Sequence, residues 1–87
     1  MKIIRNALAG SLESSDCLVK VCPAETLKFH LDSTLDKRFG SHLRKLVQDT
    51  LRELHVESGE VVVTDRGALD YCIRARLATA ARRGGAC

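Results

Sequence analysis

Apolar and polar residues alternate through the first third of the chain in the manner of β-strands. Residues 27–33 carry an apolar side chain at every second position, which is typical of a half-buried antiparallel strand. Residues 17–22 are rich in apolar and β-branched side chains and are followed by Pro23, which favours a second strand that ends there. Residues 7–12 are a weaker candidate built from small residues. The pattern therefore predicts three consecutive strands.

The period then changes to that of an α-helix. Apolar residues recur at i, i+4, i+7 or i+8 spacing from Leu35 to Leu54, with charged side chains on the other side. Ser33 or Thr34 is a suitable N-cap for this helix. Residues 61–64 form a short segment that is apolar on both faces, which favours a strand in the interior of the sheet.

A second helix is predicted after the turn at 65–67. Its inner face would be formed by Leu69, Cys72, Ile73, Arg76 through its aliphatic stem, Leu77 and Ala80. The element order predicts an α+β fold in which two helices pack on one face of a small, mostly antiparallel sheet of about four strands. We expect one domain over 1–87, with a frayed tail at 83–87.

Composition and charge exclude several functional classes. The net charge is only +3, and the stacking aromatic residues that single-strand binders need are missing around the C-terminal arginines, so nucleic acid is not an expected partner. No apolar run is long enough for a membrane span, and the N-terminus lacks the apolar segment of a secretory signal. Four cysteines without a CxxC pair or a histidine at ligand spacing indicate reduced thiols in the cytoplasm and no metal site.

Catalytic residues are not expected. The three histidines, His30, His42 and His55, occur on a strand and along one helix, without the serine or cysteine partners that a nucleophilic site needs. No glycine-rich phosphate loop links a strand to a helix. The sequence therefore predicts a protein without an active site of its own.

One polar segment carries the functional interpretation. Glu13-Ser14-Ser15-Asp16 lies between two predicted strands and suits a type I turn, which places Ser14 and Ser15 at an exposed hairpin tip. Such a segment is most often simply a turn. The functional alternative is covalent attachment, because a hydroxyl on an exposed loop is accessible to a modifying enzyme while the sheet behind it fixes its position. The carboxylates of Glu13 and Asp16 could then meet a basic surface of a partner.

Several stretches together resemble the acyl carrier (γ) subunit of citrate lyase. They are Ala9-Gly10-Ser11-Leu12-Glu13-Ser14-Ser15-Asp16, then Phe39-Gly40, then Val61 with Asp65-Arg66-Gly67-Ala68-Leu69-Asp70, and finally Ile73-Arg74-Ala75-Arg76-Leu77. Their spacing matches that family, and they cover nearly the whole chain. Each stretch alone would be a weak signal, but the combination is specific.

The resemblance implies a non-catalytic carrier subunit of a lyase complex. In that family the serine that matches Ser14 carries phosphoribosyl-dephospho-coenzyme A through a phosphodiester, attached by a holo-carrier synthase. The thiol of this arm holds acetyl and citryl thioesters. An α subunit exchanges acetyl for citrate, and a β subunit cleaves the citryl group to oxaloacetate. The implied partners are therefore these two subunits and the synthase, in citrate fermentation.

The sequence departs from the family at the hairpin tip, where the family usually has Ser-Gly-Asp and this chain has Ser15 in place of the glycine. The second hydroxyl makes Ser15 a less favoured alternative attachment site, and the position is one at which glycine supplies a positive φ. The alternatives in function are the acyl carrier of malonate decarboxylase, which uses the same type of prosthetic group, a small basic nucleic-acid-binding module, and an adaptor without any prosthetic group.

Overall fold

The computed structural model describes residues 1–33 and 40–85. In these ranges the chain forms β1 (Ala7–Gly10), β2 (Cys17–Cys22), β3 (Leu27–Ser33), α1 (Gly40–Glu53), β4 (Gly59–Asp65) and α2 (Asp70–Gly84). The predicted element order and the α+β class are confirmed, and β2 and β3 have the predicted bounds. Among the described residues, no helix has both the length and the apolar character needed to cross a membrane.

The sheet has the strand order β1-β2-β4-β3. β4 is an interior strand, as its apolar residues on both faces predicted. β1 pairs with β2 and β2 with β4 in antiparallel fashion, whereas β3 runs parallel to β4. The prediction of an antiparallel β3 is wrong, because α1 returns the chain to the end of the sheet from which β3 began. Apolar and polar residues alternate in half-buried strands of both parallel and antiparallel pairs, so the alternation does not specify strand direction.

The core lies between the sheet and the two helices. In β2 and β4 every second residue is buried, and the register pairs Val19 with Val63 and Val21 with Val61. These valines pack in one cluster with buried side chains of both helices, namely Leu43, Val47 and Leu51 of α1 and Ile73, Leu77 and Ala80 of α2. The opposite sheet face carries exposed polar side chains such as Lys20, Lys28 and His30. Both helices therefore cover one face of the sheet, as predicted.

The starts of the helices differ in part from prediction. Ser33 is not a helix cap, because it ends β3 and its hydroxyl donates a 3.0 Å hydrogen bond to Asp65. Thr34 and the predicted first turn of the helix, including Leu35, lie outside the described residues. Leu69, predicted to be buried, is 62% exposed because it precedes α2 as an extended N-cap residue.

The C-terminal segment is more ordered than the sequence predicts. Arg83 and Gly84 belong to α2, and the carbonyl of Gly84 accepts hydrogen bonds from the backbone N–H groups of Ile4 and Arg5 at 2.8 and 3.2 Å. Gly85 forms a β-bridge with Ile3 and is buried. The predicted frayed tail therefore does not include 83–85, and 86–87 lie outside the described residues. Gly84 can lie this close to the sheet because it has no side chain: a Cβ at this position would lie 2.7 Å from the side chain of Val21.

Candidate attachment site

The tip between β1 and β2 is a tight turn from Glu13 to Asp16, closed by a 3.2 Å hydrogen bond from the Asp16 N–H to the Glu13 carbonyl. Ser15 is the third residue of this turn and has a φ of 64°. A turn whose third residue has a positive φ, and whose second residue does not, is of type II. The predicted type I turn is therefore wrong. That position favours glycine, because a Cβ crowds the backbone in the left-handed region.

The tip is also joined to the segment that follows β4. The Ser15 N–H donates to the carbonyl of Arg66 at 2.9 Å, and the Arg66 N–H donates to the carbonyl of Asp16 at 2.9 Å. Two residues of one strand thus oppose a single residue of the other, and the first of the two has a left-handed backbone. This is the hydrogen-bond pattern of a G1 β-bulge, in which the first residue is usually glycine. The bulge fixes the backbone of Ser15, and Ser14 precedes it as the second residue of the turn.

The carboxylate of Asp16 anchors the tip from beneath. Oδ2 accepts a 2.7 Å hydrogen bond from the Ser11 hydroxyl, and Oδ1 accepts one of 2.7 Å from the N–H of Cys17. Arg76 of α2 adds a forked pair, with Nε 3.2 Å from Oδ1 and Nη2 3.3 Å from Oδ2. These hydrogen bonds, with that of Ser11 the largest, lower the pKa of Asp16 to about 2.

Asp16 therefore does not act as the free docking carboxylate that the sequence analysis proposed. Its charge is compensated by Arg76, a residue 60 positions away in the chain. The sequence predicted that the aliphatic stem of Arg76 lies on the inner face of α2. The spacing of apolar residues could not predict that its guanidinium contacts Asp16. Glu13 is exposed, and it is the carboxylate at the tip that remains available to a partner.

Two cysteines lie beside this carboxylate. One potential ligand atom from each of Asp16, Cys17 and Cys72 lies within 4.8 Å of the others, which is metal-ligand spacing. The Asp16 oxygens, however, already accept hydrogen bonds from Ser11, Cys17 and Arg76, and Cys72 Sγ donates to Oδ1 at 3.6 Å. Burial raises the pKa of Cys17 to about 12, which opposes the thiolate that a metal would require. We interpret the group as a hydrogen-bonded anchor of the tip.

A second aspartate organises the neighbouring loop. Asp65 is buried, and its Oδ1 accepts hydrogen bonds from the N–H groups of Gly67 and Ala68 at 3.1 and 2.9 Å. Its Oδ2 accepts the hydroxyl of Ser33. The Asp-Arg-Gly stretch of the sequence thus has a structural role, since Asp65 shapes the loop that presents the Arg66 backbone to the tip.

Ser14 and Ser15 are both exposed, as predicted. No hydrogen bond joins the Ser14 hydroxyl to any residue within 1–33 or 40–85. The three histidines lie elsewhere on the surface: His30 is 4.0 Å from Glu60, and His42 contacts Asp70 at 2.8 Å. The arrangement presents a free, unactivated hydroxyl on a rigid base, which suits modification by another enzyme.

Comparisons with known proteins agree with this arrangement. A family model described as ACP, malonate decarboxylase delta subunit, matches residues 4–84. A citrate lyase acyl carrier protein of Albidiferax ferrireducens is 53% identical over 85 residues, spanning 95% of this chain and 87% of the relative. Another from Treponema denticola is 43% identical over 83 residues, spanning 95% of each chain.

The fold is also found in a solved structure. A chain in the crystal structure of a Pseudomonas malonate decarboxylase hetero-tetramer in complex with malonate superposes with a TM-score of 0.79, over 93% of this chain and 84% of that chain. The sequence identity is 19%, so this likeness concerns the fold alone. Fold and sequence together define the class as that of the small α+β acyl carriers. Within it, the chain belongs to the family of the citrate lyase acyl carrier proteins, which confirms the resemblance found in the sequence.

Proposed function

We propose that this chain is the acyl carrier subunit of citrate lyase, and that Ser14 carries phosphoribosyl-dephospho-coenzyme A through a phosphodiester. The observation that carries the proposal is the exposed Ser14 in the middle of a turn whose base is fixed by hydrogen bonds. Relatives at 43–53% identity bear the name citrate lyase acyl carrier protein, which supports the carrier role.

The backbone hydrogen bonds favour Ser14 over Ser15 as the attachment site. The N–H of Ser15 is held by the carbonyl of Arg66, so this residue lies against the loop after β4. Ser14 makes no such backbone contact with that loop. Both side chains are exposed, and we favour Ser14 because its modification does not involve the residue that is held against the loop.

The residues around the tip fit a phosphodiester. Ser14 is exposed, and its hydroxyl has no hydrogen-bond partner among the described residues. The charge of the Asp16 carboxylate is compensated by Arg76, whereas Glu13 remains an uncompensated carboxylate directly before Ser14. When attached, the group supplies a terminal thiol that can carry an acyl chain. The protein's own contribution is to fix the start of the tether, because a defined origin raises the effective concentration of the acyl group at each partner's active site.

The catalytic groups would then belong to the partner subunits. Within 1–33 and 40–85 no histidine or cysteine hydrogen-bonds to Ser14, and burial raises the pKa of Cys17 to about 12, which opposes formation of its thiolate. We propose as partners the citrate lyase α and β subunits and a holo-carrier synthase, all in the cytoplasm. The carrier itself is non-catalytic in this proposal.

The test is the intact mass of the chain purified from its native cells grown on citrate without oxygen. Fragmentation of the tryptic peptide from Asn6 to Lys20, which contains Ser11, Ser14 and Ser15, locates the modification. We expect an added phosphoribosyl-dephospho-coenzyme A on Ser14. The matched variants Ser14→Ala and Ser15→Ala should respectively lose and retain it, and lyase turnover should follow the modification. A phosphopantetheine increment, or no increment in cells with active citrate lyase, would refute the proposal.

A second candidate is the acyl carrier of malonate decarboxylase. It is favoured by the description of the matching family model and by the fold of the Pseudomonas chain. The two carriers differ in the partners that they serve, so the discriminating experiment is reconstitution of the loaded chain with each set of larger subunits. Release of oxaloacetate from citrate supports the first proposal, and decarboxylation of malonate supports the second.

A further inference from the structure

We propose that Arg66 binds the phosphate group esterified to Ser14 and thereby holds the first segment of the tether against the carrier. This inference rests on the proposed attachment at Ser14. It adds a binding site, formed by a single guanidinium for a phosphate oxygen, that lies on a different loop from the attachment residue.

Arg66 is held opposite the hairpin tip by its backbone. Its backbone is the partner of both residues of the bulge, through the two 2.9 Å hydrogen bonds to Ser15 and Asp16. The Cα of Arg66 is therefore held opposite Ser15, the residue directly after Ser14. The buried carboxylate of Asp65 accepts hydrogen bonds from the N–H groups of Gly67 and Ala68, so the loop is held in place on both sides of Arg66.

The guanidinium of Arg66 has no partner in the part of the chain that the structure describes. Arg74 pairs with Glu53 at 2.7 Å, Arg76 with Asp16, and Arg83 donates to the carbonyl of Leu8. Arg66 makes no ion pair and no side-chain hydrogen bond within 1–33 or 40–85, although it is half-buried. A half-buried, unpaired cation beside an exposed hydroxyl is poised to receive an anion.

The charges around the tip also favour binding of a phosphate by Arg66. Asp16 and Arg76 compensate each other, which leaves Glu13 and Arg66 as the uncompensated charges of the two adjoining loops. A phosphodiester on Ser14 adds a negative charge directly after Glu13. Arg66 is placed to offset this repulsion, and arginine is suited to phosphate because its planar fork can donate two hydrogen bonds.

The experiment uses the full chain with phosphoserine incorporated at position 14, whose monoester stands in for the diester and can be titrated. The second pKa of this phosphate, near 6 in a free phosphoserine, is measured by phosphorus NMR at low salt. Two charges in contact, about 4 Å apart in water, shift a pKa by roughly 0.7 of a unit. We expect the pKa to be about 0.7 of a unit higher in Arg66→Gln than in the parent, and largely restored in Arg66→Lys.

Arg82→Gln is the matched control, because Arg82 is an exposed arginine in the last turn of α2. It should leave the phosphate pKa unchanged, and circular dichroism should show the same fold for all variants. An Arg66→Gln pKa equal to that of the parent, or equal shifts from both arginine substitutions, overturns the inference.

This measurement is independent of the proposed function. If the native chain carries the tether on Ser14 and Arg66→Gln does not shift the phosphate pKa, only the phosphate site is refuted. If the pKa shifts but the native chain carries no tether, the attachment proposal fails, and Arg66 is shown only to bind a phosphate introduced at position 14.

Discussion

Replacement of Ser15 by glycine should stabilise the protein. Ser15 has a φ of 64° at the third position of the turn and at the first position of the bulge, and both positions favour glycine. A left-handed backbone costs an L-residue about 1–2 kcal/mol, and glycine avoids this cost. Glycine also makes the unfolded chain more flexible, which removes about 0.4–1 kcal/mol of that gain. With the middle of each range, the net increase in the free energy of unfolding is about 0.8 kcal/mol.

Gly67→Ala is the matched control of opposite sign. Gly67 has a φ of 92°, and an added Cβ would meet no atom within 4 Å, so the substitution tests backbone conformation without a steric clash. It should lower the free energy of unfolding by about 1 kcal/mol. Ser15→Ala keeps the Cβ and removes only the hydroxyl, so its stability should stay within about 0.5 kcal/mol of the parent.

Urea unfolding followed by circular dichroism measures these differences. With a slope of about 1 kcal/mol/M for a small domain, Ser15→Gly should raise the midpoint by about 0.5–1 M without changing the slope. The melting temperature should rise by about 2–8 °C, because 1 kcal/mol corresponds to about 4–8 °C for a domain of this size. A Ser15→Gly variant that is no more stable than the parent, while Gly67→Ala is destabilised as expected, would refute a conformational cost at Ser15.

Two further predictions concern ionisable groups beneath the tip. The pKa of Asp16 is lowered from 3.8 to about 2, so its contribution to stability is present above about pH 4 and is lost as the pH falls towards 2. The urea midpoint of Asp16→Asn should therefore change less between pH 4 and pH 2 than that of the parent. If the midpoints of variant and parent fall equally over this range, Asp16 is not the responsible group. The pKa of Cys17 is raised from 9.0 to about 12, mainly by burial. At pH 8, iodoacetamide should therefore label the partly exposed Cys72 and Cys22 before Cys17. Mass spectrometry of the peptides measures the labelling of each cysteine, and labelling of Cys17 as fast as that of the other two would refute its burial.

Local patterns in the sequence were sufficient for most of the secondary structure. The bounds of β2 and β3 follow from alternation and from the proline after Cys22, because both signals act through neighbouring residues. The interior position of β4 follows from apolar residues on both of its faces. The exposed tip with Ser14 follows from four polar residues between two strands, and the assignment of Ser14 as the attachment site came from the resemblance to a family.

Contacts between distant residues decided the rest. The parallel pairing of β3 with β4 depends on how the chain returns through α1, which no alternation pattern records. The turn is type II because the tip must pair with Arg66, and that requires a left-handed Ser15 even though serine is not suited to it. Asp16 is an anchor and not a docking carboxylate because Arg76, 60 residues away, reaches it from α2. The sequence by itself thus determined which segments are strands and helices and where the exposed hydroxyl lies, since these depend on local spacing. The tertiary structure alone decided which charges remain free around that hydroxyl, since pairing between charges depends on distances that only the folded chain defines.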